Sequence, residues 1–275
     1  MARSAKAETL SVLELHQGVI TFNLLGSTPF LCNRMSQKVK MELLMPQGRK
    51  NKADRAQTLK HEPLREYRDS PYKHADDHDA RLFYPGAAFK QAIATAALDM
   101  PGASKAEIGR LVRIEEYNVG IFGIPTLRMD IVRQAGFTRA PDVRTRACLG
   151  DWAAVISVRF AKPLLNEKTI GNLLAAAGQF VGVGDGRQEK GKLSCGLFDI
   201  VADDHPTFNA LVKHGGRAAQ DAALASPAMW DDETQELYSW FYDELDRRGR
   251  TSESTKTKDA KRRAKENGAD EVIHD

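Results

Sequence analysis

Apolar and polar residues alternate along Val19-Ile20-Thr21-Phe22-Asn23-Leu24-Leu25-Gly26. Ile20, Phe22 and Leu24 share one face and Val19, Thr21 and Asn23 the other, which predicts a half-buried strand. After Ser27-Thr28-Pro29 the spacing changes. Asn33 is placed to cap a helix from about Arg34 to Met45, with Met35, Val39 and Leu43 on one stripe and Lys38 and Lys40 on another. From Arg49 to Ala80 the chain is polar, basic and nearly devoid of large aliphatics, the composition of a long insertion that is mobile or ordered by a partner. Leu82-Phe83-Tyr84 reads as a short extended piece. Pro85-Gly86 then precedes an alanine-rich helix, Ala87 to Met100, with Phe89, Ile93 and Met100 as its larger core contacts.

Val112 to Gly120 predicts a second strand, and Gly123-Ile124-Pro125 breaks it. Thr126 to Gly150 is an arginine-rich excursion with Phe137 near its tip, and Trp152 to Phe160 returns as a third strand. Asn166 or Glu167 begins a helix over Lys168 to Gly178, where Ile170, Leu173, Leu174 and Ala177 form a stripe. A glycine-rich loop and a fourth strand, Gly196 to Val201, close the unit. The order is βαββαβ, an α+β fold with a ferredoxin-like (RRM-like) core: four antiparallel strands with two helices on one face. A long insertion follows the first strand and a thumb-like hairpin joins the second and third. Helices are predicted at Phe208 to Lys213, Ala218 to Leu224 and Asp231 to Arg248. The expected organisation is an N-terminal segment (1–18), a core (19–205, insertions 27–83 and 120–151), a helical extension (206–248) and a disordered charged tail (249–275).

Composition narrows the class. A chain of 275 residues with 42% hydrophobic content buries a substantial core. The net charge of +3 comes from 40 basic and 37 acidic residues, so bulk charge names no partner. Its distribution does more. Eleven Lys/Arg stand against five Asp/Glu between Arg34 and Lys73, while acids gather between Asp231 and Asp246, so one face is expected to be positive. Cys32, Cys148 and Cys195 form no CxxC pair, which argues against a disulfide framework or structural zinc site and for a reducing cytoplasm. No apolar leader opens the chain and no window approaches eighteen uninterrupted apolar residues, so no membrane is expected.

The chemistry concentrates in Gly182 to Gly196, where five glycines share a loop with Arg187, Lys190 and Lys192. Glycines permit φ > 0 and close backbone approach, so a basic glycine-rich loop beside a strand suits a phosphate. Lys90, near a helix N-terminus, makes better sense if an anion docks there. Tyr67 and Tyr72 sit in the basic insertion, an arrangement that stacks bases beside phosphate contacts. His74 and His78 with Asp76, Asp77 and Asp79 are the one cluster with a metal-like spacing, but no apolar framework surrounds them, and no metal or cofactor is expected. No nucleotide-binding fingerprint or nucleophile elbow is present.

Two motifs carry a family resemblance. Tyr84-Pro85-Gly86-Ala87-Ala88-Phe89-Lys90 resembles the opening of the first helix in the RAMP superfamily, the RRM-derived proteins of CRISPR effector complexes. Gly182 to Phe198 resembles that superfamily's C-terminal glycine-rich loop, and the resemblance spans Val19 to Val201. The two insertions are similar to those of the backbone subunits and of small phage-encoded proteins of the same type. The resemblance implies noncatalytic binding of single-stranded nucleic acid, RNA first and ssDNA second, with side-by-side assembly of copies into a helical filament, alongside other effector-complex subunits. On this reading Arg187, Lys190, Lys192 and Lys90 contact phosphates, and Arg34, Lys38 and Lys40 line the groove. Arg139, Arg144 and Arg146, with Phe137 as a wedge, act between subunits or nucleotides. The alternative is a metal-independent endoribonuclease, with His16, His61 and His74 as candidates. A metal-dependent cleavage through Asp76, Asp77 or Asp79 is a third.

Overall fold

In β1 (His16–Gly26) the side chains of Ile20, Phe22 and Leu24 meet the core while Val19 and Thr21 are exposed, as the alternation requires. The computed structural model describes residues 13–45, 59–133, 139–190 and 193–250, with the side chains of Lys38, Glu42 and Lys190 outside that description. β1 lies between β9 (Ala153–Lys162) and β10 (Phe198–Val201), antiparallel to both. Phe22 stands opposite Ile156, and Leu24 opposite Ile200. On its other edge β9 pairs with β5 (Val112–Ile114) and β6 (Asn118–Phe122). These two are halves of the predicted second strand. They part because residues 115–117 bulge out, where the Glu116 carboxylate accepts the Ser157 N–H at 2.9 Å in place of a ladder bond.

The spatial order β10-β1-β9-β5/β6, with α3 (Gly86–Ala96) before the second strand and α5 (Glu167–Ala176) after the third, is the ferredoxin-like arrangement of an α+β fold. α5 is capped by Asn166, whose side chain accepts the Thr169 N–H at 2.9 Å. Both helices pack on the face of Ile156, Val158 and Phe160. α3 sits close because residue 86 is glycine: a Cβ there would run into the Glu116 carbonyl oxygen. α4 (Lys105–Leu111) follows α3 and leads into β5. The sheet then extends past the core through β4 (Leu82–Pro85) and β3 (Tyr72–Lys73).

The long insertion is more ordered than its composition predicts. β2 (Phe30–Leu31) joins a second sheet, and α1 (Gln37–Leu44) is capped by Ser36 rather than Asn33. Asn33 is otherwise engaged, accepting the Tyr84 hydroxyl at 3.1 Å. α2 (Pro63–Asp69) buries Leu64 and Tyr67 against the core, so this described part of the insertion is ordered by contacts within its own chain. The excursion is a regular hairpin, β7 (Pro125–Arg133) with β8 (Pro141–Leu149), in register from Pro125 opposite Leu149 to Arg133 opposite Pro141.

Three C-terminal helices brace this frame. α6 (Pro206–His214) lays Phe208 over Ala153, Phe122 and Ala80, closing one end of the open sheet face. α7 (Arg217–Ala225) buries Gln220, whose amide donates to the carbonyls of Ile121 and Gly123 and accepts from the N–H groups of Arg81 and Leu82. Ahead of α8 (Asp232–Arg247), residues 228–230 run along β7, with the Leu127 N–H donating to Ala228 and the Trp230 N–H to Leu127, each at 2.9 Å. No helix among the described residues is long and apolar enough to cross a membrane.

Candidate nucleic-acid interface

The loop after α5 is built by backbone geometry. Gly182, Gly184, Gly186 and Gly196 all hold positive φ, which L side chains rarely adopt. At Gly196 a Cβ would also collide with the Val183 carbonyl, so the two ends of the loop close only through glycine. The Asp185 N–H donates to the Leu31 carbonyl at 2.9 Å and the Gly196 N–H to Pro29 at 2.9 Å, stitching the loop to the segment before α1. The Asp185 carboxylate is gripped by Arg146 of β8 and lies 3.6 Å from Arg144. The glycine loop and the root of the hairpin are thus one unit.

Cations gather beside this loop on the helix-bearing side of the sheet. Lys73 pairs with Leu82 across β3 and β4, which puts it on the face of Leu82 and Tyr84. Burial pushes its ammonium below the ordinary lysine value, Asp69 offsets part of that, and Arg34, Arg81 and Arg68 push it further down. The Lys73 ammonium makes no hydrogen bond or ion pair among the described residues. Among the described residues the Arg34 guanidinium donates only to the Asp69 carbonyl, at 3.3 Å, while its backbone N–H donates to Ser70. Arg68 likewise spends its guanidinium on the carbonyls of Leu224 and Ala225, while Arg81 pairs with Asp221 at 3.2 Å. Nearby, Arg187 lies close enough to Tyr84 to act on its hydroxyl, and its buried Nε has no hydrogen-bond partner. Among the described residues its ion pair is to Glu189, at 3.5 Å. A half-buried ammonium among three guanidiniums, against the two carboxylates of Asp69 and Asp221, is a site that an anion would complete.

The predicted site residues divide by this geometry. Arg34 acts on Lys73, and Arg187 acts on Tyr84 of the neighbouring strand; Lys73 is not singled out from sequence, where its only signal is membership of the basic segment. Lys90 stands one turn into α3, part-exposed, and Lys40 is part-exposed on α1. Arg144 is exposed on β8, and Arg139 is exposed beyond it at φ 45°. Arg146 is not a groove residue. Its side chain is 6% exposed and bridges Asp130 at 2.5 Å and Asp185, so its charge is consumed inside the protein. Tyr67 is likewise no stacking platform: it is fully buried, and its hydroxyl donates to Pro125 and Ala223 carbonyls. Tyr72 has its ring engaged by Phe83 and Tyr84, at 5.4 and 6.1 Å between centroids. Phe137, Lys192, the side chains of Lys38 and Lys190, and the tail from residue 251 lie outside the described residues.

The histidines do not form one centre. His16 is exposed beside Glu14, His61 bridges Glu66 and Asp142, and His74 is buried and stacked on His78 at 4.2 Å. Among the described residues no three His, Cys, Asp or Glu side chains come together in a way that could hold a metal ion. All three cysteines are free and buried, and burial pushes each thiol up, Cys148 to about 12. On the open sheet face Thr21 meets Ser157 at 3.0 Å, and Arg113 and Arg159 hold the Glu115 carboxyl down at about 2. That face presents no aromatic ring on β1 or β9 for a base to stack on.

No known protein family and no curated protein matches the chain. Among solved structures it is similar to the crystal structure of Cmr6 from Pyrococcus furiosus, at 10% identity and a TM-score of 0.31, over 68% of this chain and 98% of that one. A likeness of that size assigns no residue of the site, which stands on its own geometry.

Proposed function

We propose that the protein binds the phosphodiester backbone of single-stranded nucleic acid, RNA first and ssDNA second, without cleaving it, as a RAMP-type backbone subunit whose copies assemble side by side along the strand. The observation that carries this reading is the half-buried ammonium of Lys73 among Arg34, Arg81 and Arg68, four cations against Asp69 and Asp221, with Arg187 beside Tyr84 in a loop shaped by four positive-φ glycines. A phosphate supplies the missing charge, and polyanion backbones supply phosphates in series. Because the nearby rings are packed on one another, contact is to backbone more than to bases and sequence selectivity is weak. Lys90, Lys40, Arg139 and Arg144 extend the positive path, and the 206–248 helices brace a core spanning 19–205.

The test is fluorescence anisotropy of nuclease-treated protein with labelled single-stranded RNA and DNA of several sequences. Lys73→Ala and Arg187→Ala each weaken binding about equally for all sequences and reduce the log–log salt slope by about 0.7 for each phosphate no longer neutralised. Unchanged affinity in both variants overturns the reading. The labelled strand stays intact with or without divalent metal; cleavage overturns the noncatalytic part.

A further inference from the structure

Two imidazoles pack flat on each other in the turn between β3 and β4. The rings of His74 and His78 lie 4.2 Å apart and 4° from parallel, with Phe83 against His74 at 4.7 Å. The His78 ring also lies against Gly120 of β6, where a Cβ would come within 2.8 Å of its Cε1. Each ring has its own reason to be neutral. The Ala80 N–H donates to His78 Nδ1 at 3.1 Å, so that nitrogen carries a lone pair, and a proton on it would set one donor against another. His74 is 7% exposed and its Nδ1 faces Asp76 at 3.5 Å. Its buried Nε2 has no hydrogen-bond partner, so a proton there would be an unpaired buried donor beside the His78 ring. The charged groups about the pair are Asp76, Asp77 and Asp79 on the turn, Lys73 and Arg81 on the flanking strands, and Arg217 and Asp221 on α7; β6 contributes none. Burial lowers the His74 pKa below its ordinary value, the neighbouring His78 adds to this, Asp76 opposes it and Arg217 adds again.

The turn that these rings close holds other parts in place. Arg217, which opens α7, donates to the carbonyls of His78, at 2.8 Å, and Asp76, and its backbone N–H donates to Asp79 at 2.7 Å. Ala80, at the end of the turn, is fully buried beside Phe208. The His74 N–H donates to the Arg81 carbonyl at 2.9 Å, next to the pairing of Lys73 with Leu82. β3 is only two residues long, so the turn decides where the Lys73 ammonium stands. We infer that the His74–His78 pair is an acid-sensitive latch: while both rings are neutral it keeps residues 74–80 closed and Lys73 in the cation cluster, and protonation opens it. The closed turn binds these protons more weakly than the open one. It is therefore favoured above about pH 6.5, the ordinary histidine value, and loses ground as pH falls below it. The consequence for Lys73 rests on the nucleic-acid reading above; the latch itself does not.

The experiment follows amide hydrogen exchange of the full chain in peptides covering residues 72–82 from pH 7.5 to pH 5.5, with the intrinsic pH dependence of exchange divided out. Protection in wild type falls about tenfold for each proton that the open turn takes up over that range. His61 titrates in the opposite sense, its proton stabilising the folded chain, so it does not supply this loss. His78→Asn keeps a side-chain acceptor for the Ala80 N–H without a titrating group, and His74→Phe keeps a ring against Phe83. Each single variant halves the logarithmic loss, and the double variant abolishes it. Wild-type protection that does not change with pH overturns the inference, and so does a variant of either histidine, folded by circular dichroism, that loses as much as wild type. In the anisotropy assay at constant ionic strength, wild-type affinity for labelled RNA falls along the same pH profile, the reverse of what added positive charge does for a polyanion. Affinity that instead rises steadily on acidification overturns the link to Lys73. Protection that falls in a protein that binds no RNA leaves the latch standing and overturns the nucleic-acid reading.

Discussion

At Arg146 one guanidinium holds two carboxylates, Asp130 from its own hairpin and Asp185 from the glycine loop. Removing one partner of such a buried group strands the others, at a cost of about 3–5 kcal/mol. Arg146→Ala is therefore expected to lower unfolding free energy by about that amount in urea titrations, and Arg146→Lys to restore little of it, since an ammonium cannot reach both carboxylates in a fork. A second residue-scale expectation concerns pH. The hydrogen bond to Glu66 raises the His61 pKa above its ordinary 6.5, with Asp142 adding to the effect and burial opposing it. The folded state then binds the proton more tightly than the unfolded chain, so the stabilisation is full below about pH 6.5 and disappears as pH rises through the folded-state value. Urea midpoints of wild type should fall between pH 6 and pH 8, and His61→Gln should flatten that fall. The sequence puts Arg146 and Tyr67 at the surface, each for its own reason. β8 is covered on both faces from Thr145 to Leu149, so alternation no longer separates inside from outside, and a lone tyrosine in a basic stretch has no periodic neighbours to mark it as core.

Among elements, periodicity performed well where one face meets solvent. β1 and β9 alternate cleanly, and α5 shows its apolar stripe, which together fix the βαββαβ order. It failed where long-range partners decide. The stretch around α2 is ordered by Leu64 and Tyr67 reaching the core, and β5 and β6 separate because Glu116 takes a backbone donor on β9. α7 is found where the sequence predicts it, but the role of Gln220, which ties the β4 and β6 segments together through four hydrogen bonds, has no periodic signal. Gln220→Leu leaves two buried N–H and two buried C=O groups without partners, each worth about 1–3 kcal/mol. The expected loss is at least about 3 kcal/mol, a large share of the roughly 5–15 kcal/mol by which domains are stable; thermal unfolding would register it, and Gln220→Glu would restore only the two contacts made by the oxygen.

For the molecule as a whole, the candidate interface was legible as a location but not as a set of residues. Glycine spacing placed the loop, and Pro85-Gly86 placed the helix that faces it, whereas Lys73 emerges only once β3 is seen to pair with β4. The strand ladders have a consequence for how copies of this chain meet. The large sheet ends in β3, two residues long, and β10, four residues long, and at the root of β7 both backbone groups of Leu127 are taken by residues 228–230. Edges so short or so occupied offer no template for another chain's backbone. The large sheet is thereby protected against merging into a continuous cross-chain fibre, and copies that meet at its edges do so through side chains, where single substitutions can turn the contact off.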